Sequence, residues 1–239
     1  MSKLHHSRVP AYLDFLQSAS GLLLALFIVG HILFEASILF GPDAMERMTL
    51  FFEGYYLFGE RHPGIVSALA ALILTLFVLH ALLAMRKFPS TWRQYRAFRV
   101  HMKRFHHEDT SLWMVQVVTG FAMFFLGSVH LYQMMVAPEK IGPYLSAQRV
   151  VEGWMWPLYL LLLFCVVLHA FVGLYRLAMK WGWFEGRNYR RSRKVMKNLM
   201  RAGIVVYILI GLASLGTYVS IGLNLPGGPA AETVEKAEQ

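Results

Sequence analysis

Residues 155–180, MWPLYLLLLFCVVLHAFVGLYRLAMK, decide the architecture of this chain. No charged residue occurs from Met155 to Tyr175, and at about 1.5 Å per helical residue the run can cross an apolar layer about 30 Å thick. Pro157 stands where a helix tolerates it, near the start, and Arg176 and Lys180 mark the far end. A single imidazole, His169, sits inside. Four more apolar blocks of this kind lie at roughly 21–42, 64–86, 111–136 and 203–223. Of 239 residues 56% are hydrophobic, more than a soluble domain needs. Backbone groups in lipid must be satisfied within their own segment, so the blocks are helices. These features predict an all-α membrane protein with five transmembrane helices, in one domain over residues 1–225. The Pro/Gly-rich, then acidic, tail 226–239 is expected to be disordered. No internal repeat is evident, and the polar residues 1–10 do not read as a cleavable signal.

The net charge of +9 is a topology signal rather than a nucleic-acid signal. Eighteen of the 23 Lys and Arg residues fall at the N-terminus, in 86–107 and in 176–201; the alternate connections and the tail hold five. With five crossings, this bias places the N-terminus in the cytoplasm and the C-terminus in the periplasm, across an inner membrane. The segment 43–63, rich in aromatic residues, suits the membrane–water interface. The basic and aromatic stretch 90–110 reads as an amphipathic connection. Asp109 or Thr110 is the expected cap of the third helix. Cys165 stands alone, which excludes an internal disulfide or a Cys-ligated iron–sulfur cluster within this chain.

Four of the five blocks carry one histidine each: His31, His80, His130 and His169. An imidazole at membrane depth is costly unless it binds something. His80 lies about 9 Å and His169 about 16 Å from the cytoplasmic ends of their helices, whereas His31 and His130 lie toward the outside. The pairs are therefore His80 with His169 and His31 with His130. Paired imidazoles suit six-coordinate haem iron, so two haems stack across the membrane within the first four helices. An isolated intramembrane histidine is more often a packing residue or a proton relay; four at two depths favour ligands. Gly30, Gly127 and Gly173, near these ligands, suit the bulk of a porphyrin. The other histidines fall in connections, and His107 could reach a haem propionate.

Five local segments carry a family resemblance: LDFLQSASGL, ALLAMRKFP, TGFAMFFLGSVHLY, EGWMWPLYL and GLYRLAMKWGWF. Over about residues 10–222 the chain resembles the di-haem cytochrome b membrane anchor of quinol:fumarate reductases, of the single-subunit five-helix type. The resemblance implies two b haems with the same axial pairs. It implies propionate contacts from Gln17, Ser18, Trp113 and Lys180 for the proximal haem and from Arg149 for the distal one. It also implies that Glu53 serves menaquinol oxidation. Read from the residues alone, Glu53 and Glu60 are equivalent acids of one connection, and the resemblance selects Glu53. The implied partners are an iron–sulfur subunit, docked on the basic cytoplasmic face, and a flavoprotein subunit that reduces fumarate. The family's intramembrane glutamate two residues before the fourth ligand is Val167 here. Glu35, one turn after His31, is an acid the pattern does not require, and is expected near the distal haem or the quinol. Alternatives are the same scaffold running as a succinate:quinone reductase, the cytochrome b of a hydrogenase or formate dehydrogenase, and a transporter using histidines as proton relays.

Overall fold

A computed structural model describes residues 7–88, 91–104 and 108–225. The tail 226–239 and His5, His6, His106 and His107 lie outside the described residues. The described elements are helical: α1 (Val9–Glu35), α2 (Pro42–Phe52), α3 (Tyr55–Phe58), α4 (Pro63–Met85), α5 (Trp92–Arg104), α6 (Glu108–Val136), α7 (Pro143–Val151), α8 (Trp156–Trp181) and α9 (Tyr189–Leu223). A 3-10 turn, Ala36–Phe40, extends α1. Five of these, with that turn included in the first, are long and apolar enough to span a bilayer. Proline opens α1, α2, α4, α7 and α8, where its missing N–H has no intrahelical partner to lose.

Three boundaries differ from the sequence reading. The first helix begins at Val9, ahead of the apolar block that starts near residue 21, because Asp14, Gln17 and Ser18 continue it as a polar turn before the apolar run. The last is one 35-residue helix: the basic run 187–201 is largely its first half rather than a connection. At about 1.5 Å per residue it extends beyond an apolar layer of about 30 Å. Asn188 caps it, its Oδ1 accepting the Arg191 N–H at 3.1 Å. Asp109 and Thr110 lie inside the first turn of α6 rather than before it.

Helices α1, α4, α6 and α8 form a closed ring in which each packs on the next, and α9 lies outside it against α8 and α1. Side chains such as Leu72, Val118 and Leu209 remain exposed on the outer surface, where lipid would meet them. At one end Asp14 of α1 binds Arg86 at 2.5 Å, Lys87 at 3.1 Å and Lys180 of α8 at 3.6 Å, tying three helices together where the cations concentrate. At the other end α2, α7 and the tip of α9 close the bundle through Ile38, Met45, Ala147, Val150 and Tyr218. A Cβ on Gly222 would lie 2.6 Å from the Ala147 carbonyl oxygen, which is backbone and cannot rotate away. A Gly222→Ala variant is therefore expected to lose about 1–3 kcal/mol, read as a lower melting temperature of the detergent-solubilised protein.

Candidate functional site

The ring of four helices encloses a cavity of about 890 Å³ running from Gln17, Ser18, Trp113 and Lys180 at the basic end to Arg149 and Tyr218 at the other. All four predicted histidines line it. They meet across the diagonals of the ring. His80 of α4 faces His169 of α8 with ring centroids 6.5 Å apart, and His31 of α1 faces His130 of α6 at 6.1 Å. A metal–imidazole bond of about 2 Å on each side, plus about 1 Å from nitrogen to ring centre, places two imidazoles on one metal with centroids about 6 Å apart. Both separations fit.

The hydrogen bonds fix which nitrogen faces inward. His169 Nδ1–H donates to the Gln116 carbonyl at 2.9 Å and lies 3.3 Å from Thr119 Oγ1. The Thr119 hydroxyl is itself donated to the Val115 carbonyl at 2.7 Å, so it can only accept from the ring. Ser20 repeats this arrangement: its hydroxyl donates to the Gln17 carbonyl at 3.2 Å and its oxygen meets His80 Nδ1 at 3.0 Å. Both rings thus carry their proton on Nδ1, and Nε2 keeps its lone pair for a metal. The rings reach these positions because the next residues are glycines. A Cβ on Gly21 would stand 2.8 Å from His80 Cε1, and one on Gly120 2.8 Å from His169 Cε1.

Among the described residues no group of three or more His, Cys, Asp or Glu side chains could hold a bare metal ion. The imidazole pairs instead suit a metal that brings its own equatorial ligands, as haem iron does. Buried polar atoms without partners support the fit: Gln17 Oε1, His130 Nδ1 and Arg149 Nε. Gln17 and Arg149 line the cavity at opposite ends.

Lys180 Nζ donates to Ser18 Oγ at 3.1 Å, and Gln17 and Trp113 line the same end. Arg149 donates to the Lys140 carbonyl and to Ser146 Oγ, both at 3.0 Å. Glu53 lies just past α2, 3% exposed, with its carboxylate 2.8 Å from Arg61 Nε. Burial pushes its pKa above the usual carboxylate value, opposed by Arg61. Glu53 is not itself among the residues lining the cavity, but Met48, Thr49 and Phe52 are. Glu60 is exposed and pairs with His62 at 3.5 Å, so the structure separates two acids that the sequence left equal. Glu35 lines the cavity and accepts from the Tyr218 hydroxyl at 3.1 Å. Val167 is fully buried in a shell that includes Ile28, Ile32 and Ile208. Cys165 is a buried free thiol.

Sequence reasoning missed Ser20, Gly21, Thr119 and Gly120. Their signal was present: a hydroxyl residue followed by glycine stands ten positions before a histidine in both the first and third blocks, Gly21 before His31 and Gly120 before His130. Of the glycines singled out from sequence, Gly127 and Gly173 line the cavity and Gly30 does not. The fifth helix contributes as well, through Gly211, Ser214, Leu215 and Tyr218, so the enclosure is not made by four helices alone.

The family model for the succinate dehydrogenase/fumarate reductase transmembrane subunit matches residues 93–217. The fumarate reductase cytochrome b subunit of Wolinella succinogenes is 52% identical over 218 residues, 91% of this chain and 85% of that protein. The subunit of the same name from Helicobacter pylori (strain ATCC 700392 / 26695) is 48% identical over 221 residues, 92% and 85% respectively. The chain belongs to the transmembrane subunits of succinate dehydrogenase and fumarate reductase. Its likeness to the cytochrome b subunits covers both histidine pairs and both ends of the cavity. A Gly120→Val variant, whose side chain would occupy the place of the His169 ring, is expected to bind less haem than wild type, measured as haem per chain.

Proposed function

We propose that this subunit anchors a fumarate reductase, oxidises menaquinol beside the His31–His130 pair, and passes electrons inward to soluble partners. The observation that carries this reading is the alignment of two diagonal imidazole pairs in one cavity, each spaced for a single metal. Two b haems, which His80 with His169 and His31 with His130 would hold, would supply one-electron transfer along the bundle. Ser20, Gln116 and Thr119 keep the His80 and His169 rings oriented with Nε2 inward. Gln17, Ser18, Trp113 and Lys180, which line the cavity at the basic end, would bind propionates there, and Arg149 would do so at the other end.

Oxidation of one quinol releases two electrons and two protons. Glu53 accepts one proton from a quinol hydroxyl, for which a carboxylate with a raised pKa is suited, and the second leaves to water on the same face. Glu35, held by Tyr218 within the cavity, stands toward the same end. On the positive-inside bias the basic end is cytoplasmic and the Glu53 end periplasmic. An iron–sulfur subunit docks against α5 and the first half of α9, and a flavoprotein uses the two electrons and two protons to reduce fumarate to succinate.

A Glu53→Gln variant is expected to keep wild-type haem content while quinol oxidation falls about 10²–10⁴-fold, the range for loss of a general base. Fumarate reduction from a soluble artificial donor should persist in the same preparation. Unimpaired quinol oxidation would remove Glu53 from the reaction.

A further inference from the structure

Arg61 lies between α3 and α4, outside the membrane spans, with its guanidinium between two carboxylates. Its Nε is 2.8 Å from Glu53 Oε2, and its Nη2 donates to Glu46 Oε1. Glu53 is 3% exposed, whereas the Arg61 side chain is 45% exposed: a half-solvated cation reaches in to a buried acid. The backbone makes this reach possible. Gly54 and Gly59 adopt left-handed φ values of 76° and 79°, and the His62 N–H donates to the Glu53 carbonyl at 2.9 Å. The loop therefore closes on the residue it left, and delivers Arg61 to the Glu53 side chain.

The charged groups facing Glu53 are Arg61 from the loop and Glu46 from α2. Glu60 and His62 pair with each other on the exposed rim, and Arg149 of α7 is committed to Lys140 and Ser146. We propose that Arg61 is the positioning residue for quinol oxidation, holding the Glu53 carboxylate ionised and in place while Glu46 competes for the same guanidinium. This rests on Glu53 being the proton acceptor. Burial favours the neutral acid, the Glu46 charge adds to that, and Arg61 opposes both. Without Arg61, Glu53 would hold its proton to higher pH, so the activity lost on acidification would be lost earlier.

The test is the pH profile of quinol oxidation by the intact membrane-embedded complex, in wild type and in Arg61→Gln, Arg61→Lys, Glu46→Gln and Glu53→Gln variants of unchanged haem spectrum. An opposite charge at this range shifts a carboxylate by about 1–3 units, and the exposure of Arg61 sets the lower end, about one unit. Arg61→Gln should therefore move the acid limb about one pH unit higher, with activity returning toward wild type above it. Arg61→Lys should keep the limb near its wild-type position, and Glu46→Gln should move it lower. The carboxyl infrared band that disappears in Glu53→Gln should titrate at correspondingly shifted midpoints. A uniform slowing of Arg61→Gln at every pH, with limb and band unmoved, would reduce Arg61 to a loop clamp and overturn the proposal alone. Full activity in Glu53→Gln would overturn both the proposal and the reading it rests on.

Discussion

An imidazole at membrane depth needs polar partners that lipid cannot supply, and the bundle is organised around four of them. For His80 and His169 the Nδ1 side is met by a neighbouring helix of the ring, through a hydroxyl whose own proton is already given to a carbonyl. That fixes the tautomer and turns Nε2 inward. It also forces helix backbones close to the rings, and so requires Gly21 and Gly120.

The placement of pairs on diagonals follows from the closed ring of α1, α4, α6 and α8. Adjacent helices pack side chain to side chain, and the space that remains lies at the centre, where opposite helices face one another. On the proposed reading, α1 and α6 each serve both levels: near the basic end they orient ligands borne by α4 and α8, and one histidine further along they supply ligands themselves. The basic end then faces soluble partners. On the same reading the other end, closed by α2, α7 and α9, meets the lipid-soluble donor. Charge is divided accordingly: Asp14 gathers three cations at the basic end, while Arg61 and Arg149 each serve a local polar cluster at the other.

The spans and the histidine levels were legible because each depends on local composition and on helical rise. The start at Val9 was not, since Asp14, Gln17 and Ser18 look like a connection until Lys180 is seen to meet Ser18 and Arg86 to meet Asp14. The long α9 was hidden for the same reason: a basic run reads as a loop unless it is known to project past the apolar layer. Gly21 and Gly120 escaped because their partners lie on other helices, whereas sequence proximity drew attention to Gly30, which faces Phe34. Glu53 and Glu60 were equal as letters. Burial and Arg61 distinguish them, and both arise only when the loop folds back.

The most direct measurement is the electron paramagnetic resonance spectrum of the oxidised complex, with spins counted per chain. Two imidazoles on each of two irons predict two low-spin ferric signals, distinct because the ring planes meet at 88° in one pair and 50° in the other, and no high-spin signal. A single low-spin component, or a high-spin iron with an open axial position, would contradict the account.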